Sequence, residues 1–260
     1  MIVLKLGGSV ITVKDKPMTP RPETIRRLAG EIAEADVKLI LIHGGGSYGH
    51  PVASRYGIKG GYSSEGQLRG FAETHQAMVK LNTLIVEALI EAGVPAIGVP
   101  PSSLIITTDG RITELELQVI RGMLEMGLTP VLYGDAVLDT MLGFTILSGD
   151  QLASRLAVEL GAERLIYGVD VDGVYTKDPK RGRSKLLERV TPKTLRELEE
   201  ASPSAVDVTG GMRAKIEEAL RAAERGVEVV ILNAMREGVI LKALRGESVR
   251  GSWVVADADD

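Results

Sequence analysis

Uninterrupted apolar runs alternate along this chain with segments in which apolar residues recur every three or four positions. The first pattern is typical of strands buried on both faces of a parallel sheet, and the second of helices that cover such a sheet. The predicted strands are residues 2–6, 37–42, 95–99, 129–133, 165–169, 172–176, 227–232 and 252–255. The predicted helices are residues 22–35, 65–92, 114–126, 149–160, 192–201, 212–225 and 237–245. This alternation predicts an α/β fold.

Shorter patterns interrupt the alternation. Residues 10–13 are predicted to form a hairpin arm that carries Lys14 and Lys16, and residues 57–64, rich in glycine and serine, a mobile lid. A charged, exposed loop is predicted at residues 177–183. Two further hairpins are predicted, with turns at Asp109-Gly110 and around Leu142-Gly143-Phe144.

No linker or internal repeat divides the chain. Beyond Asp170, however, the regular alternation of strands and helices gives way to a short strand and a charged loop. We therefore predict two lobes, residues 1–169 and 170–260, that share one continuous sheet. At 260 residues the chain is long enough to bury a substantial core in either one or two lobes.

Composition narrows the choice of partners. With 31 basic and 35 acidic residues the formal net charge is -4, which argues against a broad basic face and a nucleic-acid partner. The absence of cysteine excludes disulfides and thiolate catalysis and is typical of an intracellular protein. With no signal-peptide pattern and no apolar run of membrane-spanning length, we expect a cytoplasmic protein without a membrane partner.

The central candidate for chemistry is the run of three glycines, Gly44 to Gly46, that follows the apolar strand 37–42. We call residues 44–46 the central glycine loop. Without Cβ atoms these residues let a ligand approach their amides, which together with a helix N-terminus favour phosphate. His50, one helical turn later, adds a possible charge-assisted donor. The alternative is a tight turn with no ligand.

A second glycine cluster follows the first strand. Gly7, Gly8 and Ser9 directly succeed residues 2–6. Because open α/β folds bind ligands at the carboxyl edge of the sheet, two glycine clusters at strand ends predict two loops that face phosphate there.

Two common phosphate motifs match the central loop only in part. Gly44-x-Gly46-x-x-Gly49 has the dinucleotide spacing, which raises the possibility of a nicotinamide oxidoreductase. That motif requires an acidic residue about 20 positions further on at a strand end, and Arg69 in a helical pattern stands there instead. A P-loop requires lysine where this chain has His50.

Three charged residues occupy positions that need an explanation. Lys5 lies in an apolar strand, so it is either paired with a carboxylate or on an exposed edge. Lys215 follows Gly210 and Gly211 near a helix start, where a cation opposes the helix dipole unless an anion is close. The alternative without a functional role is that Lys215 is a solvated lysine after a glycine cap. Asp150 is either a helix-capping acid or a carboxylate that holds the two amines in place.

Taken together, these motifs resemble the amino acid kinase superfamily. They run in the family's order from the first predicted strand to the last third of the chain. The motifs are Lys5-x-Gly7-Gly8-Ser9, His43-Gly44-Gly45-Gly46, Ser148-Gly149-Asp150, Asp170-x-Asp172-Gly173-Val174-Tyr175-Thr176-x-Asp178-Pro179 and Gly210-Gly211-Met212-x-x-Lys215. Within the superfamily, His50 resembles the histidine with which isopentenyl phosphate kinases contact their substrate phosphate. Fosfomycin kinases share that histidine.

The resemblance implies a three-layer αβα sandwich with an open, mainly parallel sheet. It implies ATP over the C-terminal lobe, with Mg²⁺ carried by the nucleotide and no metal ligand from the protein. The phosphate acceptor, isopentenyl phosphate, would lie over the N-terminal lobe. A homodimer would form on the long helix that begins at Glu65 and ends at Ala92.

The resemblance also assigns roles to residues. Lys5 and Lys215 would hold the ATP phosphates and the moving phosphoryl group, and Lys14 would stabilise the transition state. Asp150 would orient the lysines, and His50 would act at the acceptor phosphate. The remaining nucleotide-binding residues would be Gly7, Gly8, Ser9, Gly46, Asp170, Tyr175 and Gly211. The remaining acceptor-binding residues would be Gly45, Gly49 and Gly149.

The acceptor is the least constrained part of this interpretation. A prenyl tail requires an apolar slot, for which the expected walls are Phe71, His75, Met78, Val79 and Ile146. His43 and His75 are otherwise expected to be structural. Two alternatives remain open within this resemblance: a kinase for another acceptor, such as UMP, fosfomycin or an acyl or carbamoyl substrate, and a non-catalytic nucleotide sensor.

Overall fold

The computed structural model describes residues 1–177, 184–201 and 209–256. Part of the predicted loop at 177–183, from residue 178 onward, therefore lies outside the described residues. The strands are β1 (Ile2–Leu6), β2 (Leu39–His43), β3 (Ala96–Gly98), β4 (Ile105–Thr108), β5 (Arg111–Leu115), β6 (Thr129–Tyr133), β7 (Asp135–Asp139), β8 (Gly143–Leu147), β9 (Arg164–Val169), β10 (Val174–Tyr175), β11 (Leu186–Leu187), β12 (Arg189–Val190), β13 (Glu228–Asn233) and β14 (Gly251–Val254).

The helices cover most of the remaining described chain. They are α1 (Gly8–Ile11), α2 (Pro22–Ala35), α3 (Gly46–Arg55), α4 (Gly66–Glu91), α5 (Leu117–Glu125), α6 (Gly149–Glu159), α7 (Pro192–Ala201), α8 (Thr209–Ala223) and α9 (Val239–Leu244), with short 3₁₀ turns at Ile58–Gly60 and Pro101–Ser103. Within the described residues, none of these helices is both long and apolar enough to cross a membrane.

One large sheet organises the described part of the chain. Its order is β12-β14-β13-β9-β1-β2-β6-β3. Every neighbouring pair is parallel except β13 with β14. The chain first builds outward from β1 through β2 toward β6 and then continues on the other side of β1 with β9. Such a reversal of strand order opens a crevice at the carboxyl ends of the strands.

Helices cover both faces of this sheet because its strands are apolar on both faces. On β1, Leu4 and Leu6 belong to a core cluster that also contains residues of α2, α4 and α9. Val3 belongs to the opposite cluster, which contains residues of α5, α6 and α8. The predicted three-layer αβα sandwich with an open, mainly parallel sheet is thus confirmed. The sheet takes strands from both predicted lobes, and the boundary near Asp170 stays a prediction.

A smaller sheet of order β5-β4-β7-β8 contains both predicted hairpins. The first turns at Asp109 and Gly110, which both have positive φ, and the second before Gly143. The predicted long helix is also present as α4.

One element prediction is right only in part, and another is wrong at its start. Residues 10 and 11 belong to the short helix α1, but Thr12 forms an antiparallel bridge to Pro20 and the amide of Val13 donates to the carbonyl of Thr19 at 2.9 Å. The arm that carries Lys14 and Lys16 is therefore present over residues 12 and 13. Val10 and Ile11 are the buried residues of α1, so their apolar, β-branched side chains reflect packing in the core and not a strand. The helix predicted from residue 114 begins at Leu117, because β5 extends to Leu115 and Glu116 caps α5.

Candidate active site

The two glycine clusters meet at the carboxyl edge of the sheet. A Cβ atom on Gly8 would collide with the backbone of Gly46, and one on Gly44 would lie 2.8 Å from the backbone nitrogen of Gly8. These side-chain-free positions let the ends of β1 and β2 approach each other more closely than other residues would allow. The pairing predicted from the strand ends is therefore present in the structure.

Thr12 fastens the two loops together. Its hydroxyl donates to the carbonyl of Gly8 at 2.7 Å and accepts from the amide of Ser47 at 3.0 Å. Gly46 has a φ of 47°, and a Cβ there would collide with the Thr12 hydroxyl. Only glycine satisfies both constraints at this position without strain.

Backbone amides point out of this edge from two longer helices. The helices α3 and α6 begin at Gly46 and Gly149, and the first amides of a helix have no acceptor within it. A Cβ on Gly149 would lie 3.3 Å from the carbonyl of His43, so the two helix starts flank the end of β2. Unpaired amides and helix dipoles together favour a bound anion here.

The buried His43 shapes the central glycine loop. Its Nε2 lies 3.2 Å from the amide nitrogen of Asn82 and its Nδ1 lies 3.2 Å from the carbonyl oxygen of Gly44. Burial lowers the pKa of His43 to about 4, against the raising effect of the Gly44 carbonyl, and the charge of Lys5 lowers it further. A neutral ring that accepts from Asn82 donates to Gly44, so His43 is structural, as its position at the end of a buried strand suggested.

Strand phase places Lys5 inside the protein. In β1 it follows Val3 onto the face covered by α6 and α8, and its neighbours across the sheet are Ile42 and Tyr167. The residue is 6% exposed on a central strand. The edge-strand alternative is therefore excluded, and a buried ammonium here requires a partner.

Asp150 is that partner, and it also holds Lys215. The Nζ atoms of Lys5 and Lys215 lie 2.6 Å and 2.7 Å from the same carboxylate oxygen of Asp150. Lys215 is 6% exposed and Asp150 is 9% exposed, so neither is a solvated surface charge. Three residues from β1, α6 and α8 thus converge, which the family resemblance implied and the motifs alone had left open.

The charged groups of this cluster shift one another's pKa values. Burial lowers the pKa of Lys215 to about 8, with Asp150 opposing the change and Lys5 adding to it. Burial would raise the pKa of Asp150, but the two ammonium groups hold it well below its usual range. The cluster carries a net positive charge when both lysines are protonated, which suits a phosphate that enters from solvent.

Tyr167 completes the cluster from β9. Its hydroxyl donates to the carbonyl of Asp150 at 3.1 Å, and the Nζ of Lys215 lies 5.1 Å from the centre of its ring. Burial, followed by the charges of Asp150 and Glu218, raises the pKa of Tyr167 well above its ordinary value. The sequence analysis missed this residue, although its position opposite Lys5 in a parallel register was the available signal.

His50 lies in α3, four residues after Gly46 of the central glycine loop, and its side chain is exposed. Desolvation lowers its pKa, and the charge of Lys5 lowers it further while Asp150 opposes this. Lys59, which the sequence analysis also missed, adds to the lowering. His50 therefore lies within electrostatic reach of the buried cluster, at its solvent side.

Lys14 lies apart from the buried cluster, in an exposed turn between Val13 and Thr19. The turn is nevertheless tied to α3, since the amide of Met18 donates to the carbonyl of Ser47 at 3.0 Å. Pro51, four residues after Ser47, has no amide to donate to that carbonyl, which leaves it available to the turn. The side chain of Lys14 makes no hydrogen bond or ion pair with the described residues.

The expected nucleotide-side residues lie around the end of β9. Asp170 follows that strand, Tyr175 lies in β10 and Gly211 in the first turn of α8. Asp172 is buried and accepts from Asn233 at 2.9 Å. Gly7 and Ser9 flank the start of α1 on the same edge.

The expected acceptor side has an apolar floor. The Sδ of Met78 would lie 3.1 Å from a Cβ on Gly45 and 2.7 Å from one on Gly49, so Met78 packs directly beneath the central glycine loop. Phe71 and Ile146 belong to a small apolar cluster beside α3.

That cluster comprises Ala53, Ile58, Ala136 and Phe144, with Tyr56, Phe71 and Ile146 packed against it. Among the other expected pocket walls, His75 pairs with the buried Asp135, its Nδ1 lying 2.9 Å from a carboxylate oxygen. That hydrogen bond raises the pKa of His75. No contact places Val79 in the cluster.

The model of the amino acid kinase family matches residues 1–233, and the chain belongs to this family. Among its relatives is the isopentenyl phosphate kinase of Methanothermobacter thermautotrophicus, which is 45% identical over 98% of both chains.

Solved structures agree with this assignment. An X-ray structure of isopentenyl phosphate kinase aligns with 98% of this chain and all of its own at 41% identity, with a TM-score of 0.87. A product complex of Thermoplasma acidophilum isopentenyl phosphate kinase covers 98% of this chain and 99% of its own at 28% identity, with a TM-score of 0.80. The resemblance seen in the motifs is confirmed over almost the whole length.

Proposed function

We propose that this chain is an ATP-dependent kinase that phosphorylates isopentenyl phosphate to isopentenyl diphosphate, a step of isoprenoid synthesis. The observation that carries the proposal is the pair of buried ammonium groups on one oxygen of Asp150, beside two glycine loops. Transfer of a phosphoryl group depends on positioning and on positive charge around its oxygens more than on a protein nucleophile. Isopentenyl phosphate kinases at up to 45% identity support the choice of acceptor.

Lys5 and Lys215 hold the β- and γ-phosphates of ATP in this proposal, and Asp150 keeps the two ammonium groups side by side. The adenosine lies toward Asp170, Tyr175 and the start of α8, over the predicted C-terminal lobe. Among the described residues no three histidine or acidic side chains are grouped to hold a metal ion. The donors at the site are amides and ammonium groups, which suit phosphate oxygens, so Mg²⁺ would be carried by the nucleotide.

On the acceptor side, the amides of Gly45 and Gly149 and the ring of His50 bind the phosphate monoester, whereas the amide of Gly46 faces the nucleotide. An oxygen of this monoester attacks the γ-phosphorus of ATP, the bond to the bridging oxygen breaks, and ADP leaves. The acceptor supplies its own ionised nucleophile, so the protein needs no general base. Lys14, on a turn fastened to α3, stabilises the negative charge of the transferring group in this proposal.

The prenyl chain fits the small apolar cluster beside α3 that Phe71 and Ile146 border. A UMP acceptor would require polar partners for a base and a ribose, which this cluster does not offer. A non-catalytic sensor would have no use for a cluster that concentrates positive charge where the phosphoryl group passes.

Two further features of the family remain proposals for this chain. We propose that it forms a homodimer through α4, on which Leu84 and Ile90 are exposed apolar residues. Sedimentation of a monomer at micromolar concentration would contradict this. A cytoplasmic location follows from the proposed place in metabolism and is testable by fractionation.

The test is an ADP-release assay with isopentenyl phosphate, dimethylallyl phosphate, UMP, fosfomycin and carbamate, each at several concentrations. We expect turnover with isopentenyl phosphate to exceed the others. The variant Lys5→Met provides the matched control for contaminating ATPase, since it removes the central ammonium. Activity confined to UMP or another acceptor would overturn the acceptor assignment, and equal ADP release by the control would overturn the active site.

A further inference from the structure

The turn between β4 and β5 touches α6 directly behind Asp150. The amide of Ile112 donates to Oε1 of Gln151 at 2.8 Å, and Nε2 of Gln151 donates to the carbonyl of Gly110 at 2.9 Å. Gln151 is 7% exposed, so the oxygen and the nitrogen of its side-chain amide both make their hydrogen bonds away from solvent. The residue next to the central carboxylate is therefore bonded on two sides to one hairpin turn.

The same turn also reaches α8. Both terminal nitrogens of Arg111 face the carboxylate of Glu218, which is one helical turn beyond Lys215. Glu218 is 8% exposed, and the hydroxyl of Ser154 in α6 donates to its backbone carbonyl at 2.8 Å. One turn thus connects the two helices that supply Asp150 and Lys215.

The turn has little freedom of its own. The carboxylate of Asp139 accepts from the amides of Asp109 at 3.1 Å and Gly110 at 2.8 Å, and from the hydroxyl of Thr107 at 2.7 Å. Asp139 is buried at the end of β7, so the turn is fixed to the small sheet. A turn fixed in this way can hold the residues that it contacts, Gln151 and Glu218, in defined positions.

Apolar packing and hydrogen bonds both act between the two helices. The core cluster they share contains Leu152, Ala153, Leu156 and Ala157 from α6 and Ile216, Ala219, Leu220 and Ala222 from α8. Apolar contacts have no preferred direction, whereas hydrogen bonds do. The Ser154 hydroxyl joins α6 to α8 directly, and the turn adds directional bonds to both helices from a third element.

We propose that Gln151 and Arg111 are positioning residues, through which the turn at residues 110–112 clamps α6 and α8 and sets the spacing of Asp150 and Lys215. The inference rests on the proposed function, because it assigns the clamp to the phosphate-holding cluster. It predicts that loosening the clamp impairs nucleotide binding more than acceptor binding.

The test compares Gln151→Met with Gln118→Met, the exposed glutamine of α5 serving as control. Methionine keeps the length of the side chain and removes both hydrogen bonds. A second pair is Arg111→Met and Arg111→Lys, in which lysine restores the charge opposite Glu218. For each variant, calorimetry gives the Kd of MgATP between pH 7 and pH 10, steady-state kinetics give the KM of the acceptor, and thermal unfolding verifies the fold.

We expect Gln151→Met and Arg111→Met to weaken ATP binding by about tenfold, with the acceptor KM within twofold and Arg111→Lys largely rescued. The pH at which ATP affinity falls should rise, because a displaced Lys215 regains solvent. The groups that face Lys215 are Asp150 from α6, Lys5 from β1 and the Tyr167 ring from β9, with Glu218 on its own helix.

A lower melting temperature with unchanged ATP affinity and unchanged pH dependence would overturn the clamp and leave a structural role. Failure of the unmodified chain to phosphorylate isopentenyl phosphate would instead contradict the proposed function. The nucleotide titrations need no acceptor, so they decide on the clamp in either case.

Discussion

The buried cluster and the solvent-side rim of this site handle positive charge in opposite ways. In the cluster, Lys5 and Lys215 are nearly inaccessible and share one carboxylate oxygen. At the rim, His50, Lys14 and Lys59 are exposed, and their side chains make no hydrogen bond to the described protein. The cluster is already paired within the protein, whereas in the proposed function the rim finds its partner in the acceptor.

The difference has a physical reason. Two ammonium groups can be buried side by side only if a carboxylate offsets their repulsion and the cost of leaving water. The ammonium groups lose their water once, when the chain folds. Their positive electrostatic field is then available to each nucleotide without further rearrangement. The side chains at the rim are exposed, and desolvation lowers the pKa of His50, so His50 gains its charge most readily when an anionic acceptor lies beside it.

Removal of the Asp150 charge is the most direct test of the difference between the cluster and the rim. In Asp150→Asn the two buried ammonium groups lose their countercharge, so we expect the free energy of unfolding to fall by about 3–5 kcal/mol. We expect kcat/KM for ATP to fall by about 10² to 10³-fold, since the phosphate-holding groups lose their geometry. Chemical denaturation and initial-rate kinetics measure the two effects.

Asp36→Asn is the matched control. Asp36 is an exposed residue with a φ of 49° after α2, a conformation that asparagine also tolerates. Wild-type stability in both variants would show that the cluster is not the buried, mutually dependent unit described above.

The rim should respond differently. In His50→Gln a donor remains but the charge-assisted bond is lost, so we expect the acceptor KM to rise about tenfold while the Kd of ATP changes less than twofold. His50→Ala should raise the acceptor KM further. Unfolding free energy should stay within about 0.5 kcal/mol, as expected of an exposed residue. Kinetics with the acceptor varied at saturating ATP separate these parameters.

Wild-type kinetics in His50→Ala would remove His50 from the acceptor site. A rise in the Kd of ATP as large as the rise in acceptor KM would contradict the division between cluster and rim.

Much of this arrangement could be predicted from the sequence. Apolar strands and glycines at strand ends are local signals, and they indicated the sheet and its carboxyl edge. The positions of Lys5, Asp150 and Lys215 singled these residues out but left an ordinary structural or surface role open for each. The phase of β1, with Lys5 two residues after Val3, even determines the face on which the lysine lies. Family resemblance then supplied the order of motifs.

What the sequence did not show are contacts between distant segments. The hydroxyl of Tyr167 on Asp150, and the hydrogen bonds of Gln151 with the β4–β5 turn, join residues with no common motif. The helix α1 was mistaken for a strand because Val10 and Ile11 favour strands locally, while burial under the first glycine cluster decides their conformation. Lys59 was missed because nothing near it in sequence distinguishes it from a surface lysine.

The smallest expected effect concerns pH, and it distinguishes the cluster from the rim in the unmodified chain. Lys215 has a pKa lowered to about 8, so its protonated, phosphate-binding form declines as pH rises through that value. We expect kcat/KM for ATP to fall severalfold between pH 7.5 and pH 9. Bound phosphate favours the charged form, so the decline in kcat should occur at higher pH than the decline in kcat/KM.

Lys215→Arg is the informative variant, because a guanidinium stays charged throughout this range. Its activity should be lower at pH 7.5, since the planar group fits the space beside Asp150 poorly, but the decline in kcat/KM toward pH 9 should disappear. His50→Gln should keep the decline, because desolvation lowers the pKa of His50 and moves it further from this range. A decline that persists in Lys215→Arg would assign it to another group and would mean that the buried Lys215 stays charged across this range.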